Sequence, residues 1–334
     1  MTLVTDFSIT LKSRALKSPF RTALRTVTNF EVIQSSVLLS DGRIGVGECV
    51  ATPAITGDTL DQIVKDLKGV IQDFVVGRSF ANYLEFISEL AMINATSSAK
   101  ACADMAIYDL ENPLSEIKLS VATDVTIPIS EISEIPELVK LRLIEGFKNF
   151  KVKLAVEKIS LSTDKLLAIG DLIGRTIPLR IDPNQSWTVD HALEFLERTE
   201  AEGILIEFLE QPTPAKDKSA LAQIKRNTSV PIMADESCFD MADLEELIEL
   251  NAVDLINLKL LKCGGINAAH QLAKVAKFNG LGVFVGSMME GDIGVARAAE
   301  LASTISPLAM HDLDASWWAQ ESSIQYLSGN LVLG

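Results

Sequence analysis

Apolar and polar positions change rhythm once along the chain. In the first fifty residues they alternate as in half-buried strands: Phe30 to Leu39, then Ser40-Asp41-Gly42, then Arg43 to Val50, a hairpin signal with Asp-Gly at the turn. Phe20 to Thr26 is a polar, cationic link between strands. Helical periodicity follows near 58–76, 80–92 and 97–110, with Thr56-Gly57-Asp58 offering capping chemistry at the first of these. Three helices after a small sheet predict an α+β module of about 115 residues.

From about residue 122, short apolar runs recur at 123–129, 150–155, 178–182, 204–209, 231–234, 254–260, 282–286 and 308–311. Seven helix-type stretches separate them, such as Ala242 to Leu250 and Asn267 to Phe278. This alternation predicts βαβ units and a parallel sheet, and eight runs predict a closed barrel rather than an open sheet. No comparable helix pattern follows the last run, so residues 315–334 are expected to return and pack on the N-terminal module. The expected division is 1–118 (completed by 315–334) and 119–314, docked tightly because no low-complexity linker separates them.

Composition narrows the chemistry. A net charge of −15 over 334 residues, with no basic stripe, argues against nucleic acid and against anionic membrane surfaces. No apolar run approaches the roughly 18–20 residues that span a bilayer. The opening Met1 to Asp6 lacks the order of a secretory signal, and Cys49, Cys102, Cys238 and Cys263 are scattered without CxxC spacing. Reduced thiols and a cytoplasmic location are therefore expected. The three histidines, His191, His270 and His311, exclude a His-rich zinc site. His191 and His270 fall on predicted helices. There is no Gly-x-Ser-x-Gly elbow or Walker loop, and Gly45-Val46-Gly47-Glu48-Cys49-Val50 sits in a hairpin without a third glycine. Carboxylates and lysines remain to carry the chemistry.

Those residues interrupt the apolar runs at regular places. Lys153, Asp182, Glu210, Asp235 and Lys259 each end one run, at successive spacings of 29, 28, 25 and 24 residues. Similar steps lead on to Ser287 and Asp312. A single strand-end Asp reads as a helix cap and a single Lys as a solvated edge. Five matched positions, one β/α unit apart, point instead to a ring of groups around the C-terminal mouth of a barrel. Three adjacent carboxylates repel unless a hard cation joins them, and oxygen-only donors suit magnesium or manganese. A lysine on either side suits proton removal from one face and delivery to the other. Lys151 should share the face of Lys153, where its charge would lower the pKa of Lys153.

With these residues in place, the chain resembles the enolase superfamily, muconate-lactonizing-enzyme subgroup, across essentially its whole length. The resemblance implies an α/β fold: a modified (β/α)7β TIM-like barrel with an N-terminal α+β capping domain. Lys151-Val152-Lys153 looks like the family's KxK motif, and Lys259 like the opposing lysine. Asp182, Glu210 and Asp235 look like the ligands of one Mg2+ per subunit, with Mn2+ as an alternative, supported by Asn184 and Glu236. Asp312-Leu313-Asp314 is similar to the DxD motif with which dipeptide epimerases bind a free ammonium.

Thr22 to Val27 resembles the capping loop of epimerases acting on L-Ala-D/L-Glu, where Arg25 would clamp the side-chain carboxylate, with Arg21 as a rival. Ile55 to Asp58 looks like a second specificity loop, while Gly286-Ser287-Met288 and Lys151 would line the substrate. One departure stands out: Glu111-Asn112-Pro113-Leu114 replaces a longer Gly-rich link to the first barrel strand, which bears on domain docking.

The implied reaction is epimerisation of a small dipeptide at its C-terminal residue, within murein-peptide metabolism, by a homo-oligomer. One of Lys153 and Lys259 would remove the α-proton to give an enediolate and the other would return it, with the assignment to each epimer open. An o-succinylbenzoate synthase or N-acylamino acid racemase activity is the alternative within this class. A non-catalytic metal-binding barrel is the alternative outside it.

Overall fold

The computed structural model describes residues 2–306 and 310–334. Strands β1 (Thr2–Arg21), β2 (Thr26–Leu39) and β3 (Ile44–Val50) form an antiparallel meander, with the short β4 (Ser79–Phe80) on the far side of β1. Helices α1 (Leu60–Asp66) and α2 (Gln72–Val75), joined by a π-turn at Leu67–Ile71, precede α3 (Tyr83–Leu90) and α4 (Ser97–Asp109). Alternate residues of the sheet, including Ile33, Val37 and Leu39, are buried.

α4 lies almost in contact with β3. A Cβ at Gly45 would sit 2.0 Å from the Ala106 carbonyl oxygen, and one at Gly47 2.0 Å from that of Cys102. These two glycines set the helix–sheet spacing. The capping expectation needs correction: Thr59, not the Thr56–Asp58 stretch, caps α1 in a capping box with Gln62. Asp58 instead serves the N-terminus of the buried α4, accepting from the Ser98 N–H at 3.0 Å and its hydroxyl at 2.7 Å. The physical reason is burial. The first N–H groups of α4 have no water to turn to, whereas the start of α1 is exposed.

After β5 (Leu119–Ala122) the chain enters the barrel through β6 (Val125–Ile127), β7 (Phe150–Lys153), β8 (Leu179–Asp182), β9 (Ile206–Glu210), β10 (Ile232–Ala234), β11 (Leu255–Leu258) and β12 (Gly282–Val285). Among the described residues these seven form one parallel sheet in sequence order. The connecting helices are α5 (Ile135–Ile144), α6 (Ile159–Ile173), α7 (Val189–Ala201), α8 (Lys218–Arg226), α9 (Met241–Glu249), α10 (Leu260–Cys263) with α11 (Ile266–Phe278), and α12 (Asp292–Ile305).

The expected eighth strand is reduced to two bridges. Thr123 pairs with His311 and Gly286 with Asp312, both parallel, so residues 311–312 join the two edges of the sheet. Residues 308 and 309 of that run lie outside the described residues. α13 (Ala315–Trp318), β13 (Gln325–Leu327) and β14 (Asn330–Leu333) end the chain. The return segment meets both parts of the molecule. Ala319 bridges Leu16 and Trp318 packs edge-on against Phe20 at 4.9 Å, while β14 pairs with β5 and Tyr326 packs on Phe147.

Side chains alternate inward and outward along each barrel strand, which builds two interior layers. The lower layer holds Phe208, Met233 and Phe284, a small apolar cluster separate from the main core. The Arg180 guanidinium lies 5.2 and 5.1 Å from the two phenyl rings and pairs with Asp124 at 2.7 Å. Two residues further along the strands stand Asp182, Glu210, Asp235 and, after β12, Gly286. This upper layer opens to the mouth. Among the described residues, no helix is long and apolar enough to cross a membrane.

Candidate active site

At the upper layer the structure brings together Lys151, Lys153, Asp182, Glu210, Asp235, Lys259 and Asp312. The Lys151 Nζ lies 3.1 Å from Asp182 Oδ2, 2.6 Å from Glu210 Oε2 and 2.8 Å from Asp312 Oδ2. Lys153 donates to Asp182 Oδ2, and Lys259 Nζ lies 2.6 Å from Asp235 Oδ2. Register explains part of this, because Lys153 is the direct cross-strand partner of Asp182.

Lys151 is the most enclosed of these ammonium groups. Burial pulls its ammonium toward the neutral form, but Asp312, Glu210, Asp182 and Asp124 outweigh that and hold it well above its ordinary pKa. Its ammonium is therefore engaged by three carboxylates at once. Asp182 and Asp235 respond in kind. Burial raises both, yet Lys153 and Lys151 hold Asp182, and Lys259 and Lys262 hold Asp235, below the usual carboxylate range. In Glu210 burial wins and the carboxyl is raised.

Three contributors were not visible in the sequence. Asn257 donates from Nδ2 to Glu210 Oε1 at 2.9 Å. Lys262, 2% exposed, donates to Asp235 Oδ1 at 2.7 Å, to the Asp235 carbonyl and to the Asn257 carbonyl at 2.9 Å. Gln211 follows Glu210 in a left-handed conformation, φ 36°, which a residue before proline rarely adopts. Its Oε1 accepts from the Asp235 and Ser237 N–H groups, both at 3.0 Å, so it ties the turn after β10 to the turn after β9. The only sequence signals were their places beside Lys259 and Glu210.

Among the described residues, no three His, Cys, Asp or Glu side chains form a ready-made ion cage. The forward oxygens of Asp182, Glu210 and Asp235 are grouped around ammonium groups instead of one point. The donor set nevertheless suits a hard dication. It is all carboxylate oxygen, from Asp182, Glu210 and Asp235, with a further buried carboxyl, Glu236, beside Asp235. Both oxygens of the buried Glu236 lack a hydrogen-bond partner. Burial, helped by Asp235 and Asp182, pushes Glu236 up to about 8.

Above this layer is a cavity of ≈ 60 Å³ lined by Phe20, Leu24, Arg25, Ile55, Met288 and Asp314, with Lys153, Lys259, Asn184, Ser287 and Asp312 also on its wall. It is small because the Thr22–Arg25 loop and Ile55 close over it. Arg25 is partly buried here, and among the described residues its guanidinium has no acidic partner, whereas Arg21 is exposed. Asp182 Oδ1 accepts from the Asn184 N–H at 2.9 Å. In the Asp312–Asp314 pair, Asp312 faces Lys151, while Asp314 Oδ2 accepts from the Thr126 N–H at 2.7 Å and the Trp318 indole at 3.0 Å.

His311 stands apart from the chemistry. Its Nδ1 accepts from the Val285 N–H at 3.1 Å and its Nε2 lies 3.1 Å from the Ser306 carbonyl, so it buttresses the barrel closure. The replaced link has its own anchor. Asp109 Oδ1 accepts from the Leu114 N–H at 2.9 Å and from Arg297 of α12.

Comparison with known proteins gives a consistent picture. One family profile, described as mandelate racemase / muconate lactonizing enzyme, N-terminal domain, matches residues 4–120. A second, enolase C-terminal domain-like, matches residues 134–329. The L-Ala-D/L-Glu epimerase of Bacillus subtilis is 32% identical over 90% of this chain and 85% of its own length. A substrate-liganded structure of the Bacillus subtilis L-Ala-D/L-Glu epimerase superposes with a TM-score of 0.93 at 29% identity, covering 99% of this chain and 96% of that one. The dipeptide epimerase from Enterococcus faecalis V583, complexed with Mg and L-Leu-L-Tyr, gives 0.90 at 28% identity, covering 99% and 97%.

Proposed function

The chain belongs to the enolase superfamily, in its mandelate racemase / muconate lactonizing enzyme branch, and from that premise we propose that it is a dipeptide epimerase inverting the α-carbon of the C-terminal residue of L-Ala-D/L-Glu. The observation that carries this reading is one mouth holding Lys153 and Lys259 on either side of Asp182, Glu210 and Asp235, with Asp312 and a partly buried Arg25 above. β7 and β11 are four positions apart in a ring closed by the 311–312 segment, so their lysines approach a bound substrate from opposite sides. Opposed proton carriers are what inversion at carbon requires, and a pure binding barrel has no use for them.

Asp182, Glu210 and Asp235 would hold one Mg2+ per subunit, with Mn2+ as a substitute. When bound, the ion supplies positive charge to the substrate's α-carboxylate and to the negative charge that builds as the α-proton leaves. Lys151 adds a fixed ammonium beside the same oxygens. Arg25 takes the glutamate side-chain carboxylate, a fit for its planar donors. Asp312 and Asp314 face the substrate ammonium. One of Lys153 and Lys259 takes the α-proton, and the other returns a proton to the opposite face. The loop from Thr22 to Arg25 excludes water while the proton is in transit. A dipeptide carrying both an ammonium and a second carboxylate is consistent with a murein fragment.

Incubation with Ala-Glu and Mg2+ in deuterated buffer tests the reading. Both epimers should form and carry α-deuterium. An absence of exchange, together with exchange into an N-acylamino acid, would transfer the chain to the racemase alternative. The Asp312→Asn variant sharpens the distinction, since it should lose preference for Ala-Glu over N-acetyl-Ala-Glu.

A further inference from the structure

Each of the three candidate ligand carboxylates is held in the same way. One oxygen accepts from a backbone N–H or a buried side-chain donor, and the other faces Lys151, Lys153 or Lys259. Asp182 Oδ1 accepts from the Asn184 N–H at 2.9 Å while Oδ2 faces Lys153 and Lys151. Glu210 Oε1 accepts from Asn257 Nδ2 at 2.9 Å while Oε2 faces Lys151 at 2.6 Å. Asp235 Oδ1 accepts from Lys262 at 2.7 Å while Oδ2 faces Lys259 at 2.6 Å. The donors are themselves rigid. Asn257 and Lys262 are buried, Lys262 also binds the Asn257 carbonyl, and a Cβ at Gly286 would touch Asn257 Oδ1 at 2.6 Å.

A carboxylate with one oxygen bound elsewhere offers a cation only the other. Mg2+ and Mn2+ accept single oxygens in octahedral geometry, whereas Ca2+ takes 6–8 ligands and gains from two-oxygen carboxylates. We infer that Asn257 and Lys262 are positioning residues that confine Glu210 and Asp235 to one-oxygen ligation, and that this discriminates a small octahedral dication from Ca2+. The inference rests on the ligand assignment under Proposed function. It assigns to the segment 257–262 a role beyond supplying Lys259: it also orients the ligands that end β9 and follow β10.

The test is titration calorimetry on the full chain, stripped with EDTA, using Mg2+ and Ca2+ separately, for the wild type, Asn257→Leu and Lys262→Met. Lys262→Met also removes a positive charge, which strengthens binding of both ions, so the readout is the ratio of the two affinities. The wild type should prefer Mg2+, and each variant should shift the ratio toward Ca2+ by about tenfold, within the range found when groups supporting metal ligands are removed. Equal changes for both ions, or none, would overturn the inference while leaving the ligands in place. Failure of the wild type to bind either ion would overturn the ligand assignment itself. Asn257→Leu keeps the branch at Cγ and leaves the charge unchanged, so it decides the matter if Lys262→Met does not fold.

Discussion

Lys151 and Lys153 share a single oxygen of Asp182. Lys153 donates to Oδ2, and Lys151 lies 3.1 Å from the same atom. Their other surroundings differ. Lys151 is 1% exposed and contacts two further carboxylates, while Lys153 reaches the cavity wall. Lys151 is thus a fixed charge at the centre of the site, while under the proposed function Lys153 would exchange a proton with the substrate.

Lys153→Met and Lys259→Met should each lower kcat for epimerisation by roughly 10²–10⁴-fold with little change in KM. Each variant should still exchange the α-proton of one epimer with deuterated solvent, and the retained epimer should be opposite in the two. Proton NMR of L-Ala-L-Glu and L-Ala-D-Glu incubated separately reads this directly. Loss of exchange for both epimers in either variant would remove the two-base assignment.

Arg25 is a partly buried cation whose pKa is lowered by loss of solvent. Replacing it with Met should raise KM for Ala-Glu about 10–100-fold, the scale of a charged hydrogen bond, and change KM for Ala-Ala much less. Arg21→Met should leave both values near wild type. Steady-state kinetics on the two dipeptides checks the contrast.

Gly286 leaves room for two side chains at once. A Cβ there would lie 2.6 Å from Asn257 Oδ1 and 2.9 Å from Lys259 Cε. Gly286→Ala should therefore displace the base and the Glu210 support together, reducing kcat while the melting temperature falls only modestly. A loss of melting temperature without a loss of kcat would contradict this geometry.

His311 supplies a pH dependence of stability. Burial lowers its pKa to about 4, from about 6.5 for the free side chain, so the unfolded chain takes up the proton first. Its contribution is fully present above pH 6.5 and is lost as the pH falls toward 4, by about 3 kcal/mol at most. Thermal unfolding between pH 7 and pH 4 should show a shallower slope for His311→Asn than for wild type.

How much of this was legible in the sequence depends on what each residue does locally. Asp182, Glu210, Asp235 and Lys259 were readable because a charge that ends an apolar run breaks a strong local pattern, and the β/α spacing repeats the break. Lys262 broke no pattern, since it lies on α10 among residues that read as an ordinary turn of helix. Asn257 sits inside a strand, and only the closed barrel reveals that its amide meets Glu210. Gln211 depends on a backbone conformation that its residue type does not announce. The fold was legible to the same extent. Seven strands followed from periodicity, while the eighth, held by two bridges, is defined by its neighbours rather than by its own length.

That closure has a consequence for the order of assembly. Residues 311–312 join the first and last strands of the sheet, and Asp312 belongs to the same segment. Lys153, Lys259 and the three central carboxylates all precede this segment in the chain, so under the proposed function the residue that would receive the ammonium group comes last. Recognition of the substrate's amino end would then be completed by the same segment that seals the ring. Exchange of this segment between relatives would alter the architecture and the choice of dipeptide together.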